Sequence, residues 1–501
     1  MARNTTPSFV VTMSLICLNS DCNYLNKLMN MCNKINNTLV KHVRRQLYYL
    51  NKDNAFIETR EKYYKENDKS IKKQLAKEVK AYMLVHGIDE NSLQKYANYQ
   101  RHNAFSDTIS STIVQKIASK VYKAAEKAIF KQTEVHYQKE LISFEGKSNL
   151  NGIVFDINTM SVKVCGHKIK VKPVRKNDFY LQEALTHRVK YCRIVRKSFK
   201  TKDKYFLQLI LEGNPPQKYG LGNGICGVDE GASTVAYYTK DTAGFEVLAD
   251  GIEFYDKEVK RWSKINERRR RLANSDHFDE NGKPIKTNKQ WVVTKGMAYA
   301  KQRLKNAYRL KTVFVEQMHN KLVRKLLTQC NCVIKEPMDY KALAKRSKQA
   351  TVKSDKTITK NNSNGETKVI VKNKRKKRFG TSIQKRSPGL FQSKLIAKME
   401  ALGGTVIDVD IKQYRASQRN HTSETIAKPS LSDRTKYIAE HLVQRDLYSA
   451  FLLCHFGDNT TPNYESCQND FANFLKQQEK VIAHVKDTGD KTKNFGLKDF
   501  K

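Results

Sequence analysis

Three carboxylates draw attention first, because each closes or borders an apolar run. Asp229 ends Gly224-Ile225-Cys226-Gly227-Val228, a strand-like run with glycines that permit close approach, and Gly231 follows it. Glu336 ends Cys332-Val333-Ile334-Lys335 in the same way. Asp446 lies at the edge of a helix expected over about 434–456, whose inward face is Leu442, Leu447, Ala450, Phe451 and Cys454. Taken singly, each acid reads as a surface carboxylate or a strand-end cap. Taken together on a strongly basic chain, they fit one chemical need. Phosphodiester hydrolysis by the two-metal route uses two divalent cations about 4 Å apart. Mg²⁺ takes hard oxygen ligands and keeps several waters, so a few carboxylates suffice.

The charge balance names the partner class. Lys and Arg number 93 against 50 Asp and Glu, a net charge of +43 over 501 residues. Such an excess repels itself in the folded state and calls for a polyanion. The positive residues run along nearly the whole length, which matches extended phosphate contact rather than a short targeting patch. The ten cysteines are sparse and irregularly spaced, so a disulfide framework is not expected. No segment approaches the roughly 20 apolar residues of a membrane span. The stretch Phe9 to Leu18 has the length of a signal-peptide core but no strong basic region before it, and reads as a strand. A soluble, cytoplasmic protein with no membrane partner is expected.

These acids must be positioned by ordinary elements. After the first strand, Leu25, Leu28, Cys32, Ile35, Leu39 and Val43 recur at helical spacing. A second helical face is Ile113, Ile117, Val121, Ala124 and Ala128, with Lys116, Lys120, Lys123 and Lys127 elsewhere on the same helix. From Ile142 short β-type runs follow at regular spacing, the pattern of a small β-barrel with the helices inserted after its first strand. Asn214-Pro215-Pro216 punctuates a boundary, and mixed strands and helices beyond it indicate a three-layer α/β domain. The Lys-, Asn-, Ser- and Thr-rich stretch 346–386, which contains Lys374 to Arg378, reads as a mobile loop.

In order and context these segments resemble the RuvC motifs of TnpB, the transposon-associated RNA-guided nuclease, and of the similar type V CRISPR effectors. The matching stretches are Gly227-Val228-Asp229-Glu230-Gly231, Ile334-Lys335-Glu336-Pro337-Met338 and Gln444-Arg445-Asp446-Leu447-Tyr448-Ser449-Ala450. Arg268, Arg269, Arg270 and Arg271, followed by Lys301, Arg303 and Lys305, lie where the family has helices against the guide–target duplex. Ala401 to Val406 and Tyr414-Arg415-Ala416-Ser417-Gln418 are similar to the family's segment after its second motif.

The resemblance implies an α/β multidomain chain. A β-barrel (wedge-like) domain would occupy 1–22 and 142–220, with a helical recognition lobe inserted at 23–141. An RNase H-like RuvC nuclease domain would follow at 221–410 and 434–456. A small, degenerate zinc-finger-like target-loading module would be inserted at 411–433. The stretch 457–501 reads as a polar tail with one weak helix near Phe471 to Val485. The resemblance further implies Asp229, Glu336 and Asp446 as catalytic ligands of two Mg²⁺ ions, a guide RNA and double-stranded target DNA as partners, and base pairing as the source of specificity. One feature departs from the family: its module carries two Cys-x-x-Cys pairs, whereas 419–445 contains no cysteine and only His421 and His441. Tetrahedral Zn²⁺ needs four ligands, so no zinc is expected. Cys17, Cys22, Cys330 and Cys332 read as buried strand cysteines rather than a substitute site.

Three other readings stand beside the nuclease: an RNA-guided repressor that no longer cuts, an RNase H-like transposase or resolvase working without RNA, and a non-enzymatic RNA-binding protein.

Overall fold

The computed structural model describes residues 6–105, 108–147, 152–285, 287–345, 350–352, 357–361, 367–371, 374–375, 379–427, 430, 433–487 and 495–500. The basic run 376–378 and the pair 431–432 lie outside the described residues. The chain divides into two compact units, 1–216 and 217–501.

The first unit begins with β1 (Ser8–Ile16), where Phe9, Val11 and Met13 are buried and the residues between them exposed, the two-residue period of a half-buried strand. Five helices follow: α1 (Asn19–Leu50), α2 (Asn54–Lys65), α3 (Lys69–Val85), α4 (Glu90–Phe105) and α5 (Ser111–Phe130). The anticipated apolar stripe of α1 is buried throughout. On α5 the buried positions include Ile113, Ile117, Val121, Ala125 and Ile129, so its face ends one residue later than the sequence pattern placed it. The middle helices carry only Phe56, Val79, Met83, Leu93 and Ala97 as buried apolar residues, too few to mark a stripe in the sequence. Their starts are fixed instead by caps: Asp53 accepts from the amides of Ala55 and Phe56, and Asp68 from those of Ser70 and Ile71.

The chain then returns as β2 (Ser143–Lys147), β3 (Ile153–Asp156), β4 (Ser161–Val164), β5 (His167–Val171), the short α6 (Phe179–Ala184), β6 (Val189–Ser198) and β7 (Asp203–Glu212). The sheet order is β2-β6-β7-β1-β5-β4-β3, every pair antiparallel. β3 comes back beside β2 and β6, so the sheet curls into a nearly closed barrel.

The second unit holds a five-stranded sheet of order β10-β9-β8-β11-β16. Its members are β8 (Ile225–Glu230), β9 (Thr234–Tyr238), β10 (Ala243–Val247), β11 (Cys332–Lys335) and β16 (Thr405–Asp408). β8, β9 and β10 form an antiparallel meander, whereas β8, β11 and β16 are parallel. Two long helices, α7 (Ile252–Ala273) and α8 (Lys295–Leu327), separate β10 from β11, and the short α9 (Tyr340–Ala344) follows β11. The described pieces of the basic stretch pair as β12 (Ala350–Val352) with β15 (Lys374–Arg375) and β13 (Thr357–Asn361) with β14 (Thr367–Val371). The β-branched runs Thr357-Ile358-Thr359 and Val369-Ile370-Val371 account for that pairing. Next come α10 (Gly380–Arg386), α11 (Pro388–Ala401) and, after β16, α12 (Ile411–Tyr414).

The helix expected over 434–456 is instead a hairpin, β17 (Thr435–Ile438) and β18 (His441–Gln444), followed by α13 (Arg445–Cys454). Thr435, Tyr437, Ile438, Leu442 and Val443 favour strands, and both turn residues, Ala439 and Glu440, take positive φ (45° and 66°), as a two-residue hairpin turn requires. The weak helix expected near 471–485 is the longer α14 (Tyr464–Asp487). Its buried Cys467, Phe474, Val481 and Val485 recur at four- and seven-residue spacing within a polar background, and they join the core of α13. One face of the sheet is covered by α8 and α11 through Val323, Leu326, Phe391 and Leu395, and the other by α13 and α14 through Leu447, Phe451 and Phe474.

Candidate active site

The register of the parallel strands places two of the acids side by side. Lys335 of β11 pairs with Val228 of β8, so the next residues, Glu336 and Asp229, stand beside each other where both strands end. Side chains alternate across a sheet. Gly227 and Asp229 therefore share one face, toward α13, while Glu230 points to the other. The C-terminal ends of parallel strands are where α/β folds build ligand sites.

α13 delivers the third acid. A β-carbon on Gly227 would overlap the backbone of Ala450 and Cys454, so the helix lies directly on that strand. Asp446 sits one turn before Ala450, in the first turn of α13, where the helix dipole favours a negative charge. The helix start is fixed by the buried Gln444, whose Oε1 accepts from the Leu447 amide at 2.6 Å. Asp229, Glu336 and Asp446 line one cavity of about 570 Å³, together with Glu230, Arg434, Arg445 and Ser417.

The electrostatics of this cavity are strained. Burial, then the neighbouring charges of Asp446 and Glu336, push the Asp229 carboxyl well above the usual range; Arg445 and the Ser449 hydroxyl oppose the shift. Burial also raises Glu336, against a hydrogen bond from the Ala416 amide to its Oε1 at 2.9 Å. Asp446 lies between two cations, with Arg445 Nε at 3.6 Å and Arg434 Nη1 at 3.9 Å. Asp229 thus feels the charge of both other acids, and Glu336 and Asp446 are held by different partners. Among the described residues no three His, Cys, Asp or Glu side chains converge tightly enough to form a ready-made metal cage. The donor set is nevertheless all hard oxygen, the ligand type that Mg²⁺ takes.

Sequence reasoning missed Glu230. It is buried, its Oε2 accepts from the Tyr340 hydroxyl at 3.1 Å, and its Oε1 has no partner. Burial raises its pKa to about 7, opposed by Lys335, itself fully buried and paired with Asp408 at 2.9 Å. The signal was present as an acid immediately after Asp229. Arg445 and Arg434 were missed as well, although Arg445 directly precedes Asp446.

The histidines of the cysteine-free segment serve packing. His421 is buried with its Nδ1 2.6 Å from the Tyr448 hydroxyl, and burial holds its pKa down at about 4; His441 meets Phe471 edge-on. All ten cysteines are free thiols; Cys330 is buried, and Cys17, Cys22 and Cys332 are half-buried. Among the described residues no helix is long and apolar enough to cross a membrane.

No family model and no curated protein matches this chain. Among solved structures, it is similar to a chain of a Cas12f1–sgRNA–target DNA complex, at 10% identity and a TM-score of 0.42 over 89% of this chain and 98% of that one. A CRISPR–Cas12f ternary complex gives 10% identity and a TM-score of 0.24 over 88% and 85%. A Cas12i1 R-loop complex captured before target DNA cleavage gives 10% and 0.26 over 91% and 66%. Scores of this size leave the functional reading to the chain's own residues.

The expected nucleic-acid contacts are not gathered at this cavity. Arg269 donates to the Gly296 carbonyl at 2.7 Å, and Arg270 and Arg271 pair with Glu267 at 3.6 and 3.0 Å. Arg270 also covers the rings of Phe278 and Trp291. Arg269 thus ties α7 to the start of α8, Arg270 is half-buried, and Arg268 and Arg271 are exposed. On α8, Arg303 lies 4.6 Å over Trp262, Lys301 is exposed and Lys305 is half-buried.

Proposed function

We propose that this protein is an RNA-guided DNA endonuclease that hydrolyses guide-complementary DNA at Asp229, Glu336 and Asp446. The observation that carries the reading is the convergence of three carboxylates, from two adjacent strand ends and a helix start, in one cavity of a chain with net charge +43. Asp229, whose carboxyl is pushed up by burial and by the charges of Asp446 and Glu336, is of the kind that clusters at functional sites.

The three acids would hold two Mg²⁺ ions, which when bound supply an activated water and stabilise the leaving oxygen. The chain's own groups do the positioning. Ala416 orients Glu336 through its amide, and the Gln444 cap sets the first turn that carries Asp446. Arg434 and Arg445 present guanidinium groups to a phosphate entering the cavity, where bidentate contact fixes its orientation.

Guided recognition is supported by the sequence resemblance and by the spread of positive charge. The presence of all three acids in one cavity favours a cutting enzyme over a binding-only repressor. Expressing the chain with its native flanking DNA and sequencing the RNA that purifies with it tests the guided part. A discrete RNA with a constant scaffold and a variable end is expected. Random cellular RNA alone would favour an RNA-independent resolvase or transposase.

A further inference from the structure

Far along the sequence from these acids, the C-terminal end of α1 carries a cluster that the nuclease reading does not use. Tyr48, Tyr49 and Tyr137 are 59%, 44% and 50% exposed, large values for aromatic side chains. A cation covers each ring: Lys52 lies 4.6 Å from the centroid of Tyr48, Arg45 5.8 Å from Tyr49 and Arg44 5.3 Å from Tyr137. All three cations are exposed, and among the described residues none makes an ion pair. Tyr48 and Tyr49 meet edge to face at 5.6 Å, so their ring faces point in different directions.

Exposed rings alone would be an aggregation liability, and exposed cations alone a solvated face. Interleaved, they supply both halves of what an unpaired nucleotide offers: a ring face for the base and a guanidinium or ammonium for the phosphate. A duplex hides its base faces and could use only the cations. A cavity of about 330 Å³ adjoins the cluster, walled by Arg44, Tyr48, Asn51 and Arg60. Arg60 lies 5.0 Å over Phe56, and its Nε is buried without a partner.

We infer that the end of α1, with the facing segment at Tyr137, is a stacking platform for single-stranded nucleic acid, holding unpaired bases on Tyr48, Tyr49 and Tyr137 and their phosphates on Arg44, Arg45 and Lys52. The inference deepens the proposed function by naming where an unpaired strand is held, and it does not depend on cleavage.

The test uses the full chain, stripped of nucleic acid and kept in chelator so that no cleavage intervenes. A short single-stranded RNA carrying 5-iodouridine is crosslinked by ultraviolet light and the adducts are mapped by mass spectrometry. Adducts on Tyr48, Tyr49 or Tyr137 are expected, and the same sequence annealed into a duplex should not give them. The double variant Tyr48→Leu/Tyr137→Leu, which keeps apolar bulk, should bind the single strand about 10-fold more weakly, the loss expected for a stacked base. Its affinity for an abasic strand of equal length should be unchanged. Adducts confined to other residues, equal adducts from the duplex, or equal losses with the abasic strand would each overturn the platform. Loss of DNA cleavage in Asp229→Ala, or its persistence, bears only on the nuclease reading.

Discussion

Gly227 of β8 lies directly beneath the Ala450 carbonyl of α13, so closely that a β-carbon would overlap it. Asp229 is two residues beyond Gly227 on the same face, and Asp446 is one turn before Ala450. This contact therefore sets the spacing of the two acids. Gly227→Ala should push α13 away, lower stability by about 1–3 kcal/mol through overpacking, and reduce cleavage more than the stability loss explains. Urea unfolding and a cleavage assay on the folded variant check this. Unchanged activity would mean that the acids tolerate a moved helix.

The buried Glu230 makes stability depend on pH. Its folded pKa of about 7 stands above the ordinary value of 4.5, so the folded chain keeps a proton that the unfolded chain releases. The contribution is greatest below the unfolded value and is lost as pH rises from 4.5 through 7. Glu230→Gln, which can still accept from Tyr340, should flatten this dependence and raise stability at pH 8 by about 2–3 kcal/mol. Melting curves across pH settle it; identical slopes for parent and variant would contradict it.

Asp229 carries the same sign of shift with a consequence for metal. Asp229→Asn should raise the melting temperature of the metal-free chain at pH 8, because it removes a buried charge beside two other acids. It should also abolish the stabilisation that added Mg²⁺ gives the parent. Thermal scans with and without Mg²⁺ show both effects.

The four consecutive arginines should separate into two classes. Arg268→Gln should reduce the salt slope of nucleic-acid binding by about one unit with folding unchanged, provided it makes one phosphate contact. Arg270→Gln removes a pair with Glu267 and the cover over Phe278 and Trp291, so it should cost about 1 kcal/mol of stability. Salt titrations beside denaturation curves distinguish the two.

The sequence made the strands that end in Asp229 and Glu336 legible, since an apolar run closing on an acid is a local pattern. The alternation of β1 and the stripe of α1 were legible for the same reason. Glu230 was not, because its burial depends on which face of β8 meets Tyr340, and that is a tertiary fact. The hairpin before α13 was hidden because Leu442 also fits the helical period of Leu447 and Phe451, and no glycine marks the turn at Ala439 and Glu440. Helix α14 was underestimated because its buried residues are diluted by Gln477, Gln478 and charged neighbours. The protein partners of the α7 arginines were not legible either, because they lie up to 27 residues away, as with Arg269 and Gly296.

The central claim is that Asp229, Glu336 and Asp446 form one metal-dependent cutting site. Its most direct test is DNA cleavage by the RNA-loaded protein in Mg²⁺, comparing the parent with Asp229→Ala, Glu336→Gln and Asp446→Ala. Each substitution should abolish cleavage, restoring nothing when Mg²⁺ is raised, while guide-dependent binding of the target persists. A variant that still cuts at the parent's rate would remove its residue from the site, and cutting by all three would refute the site altogether.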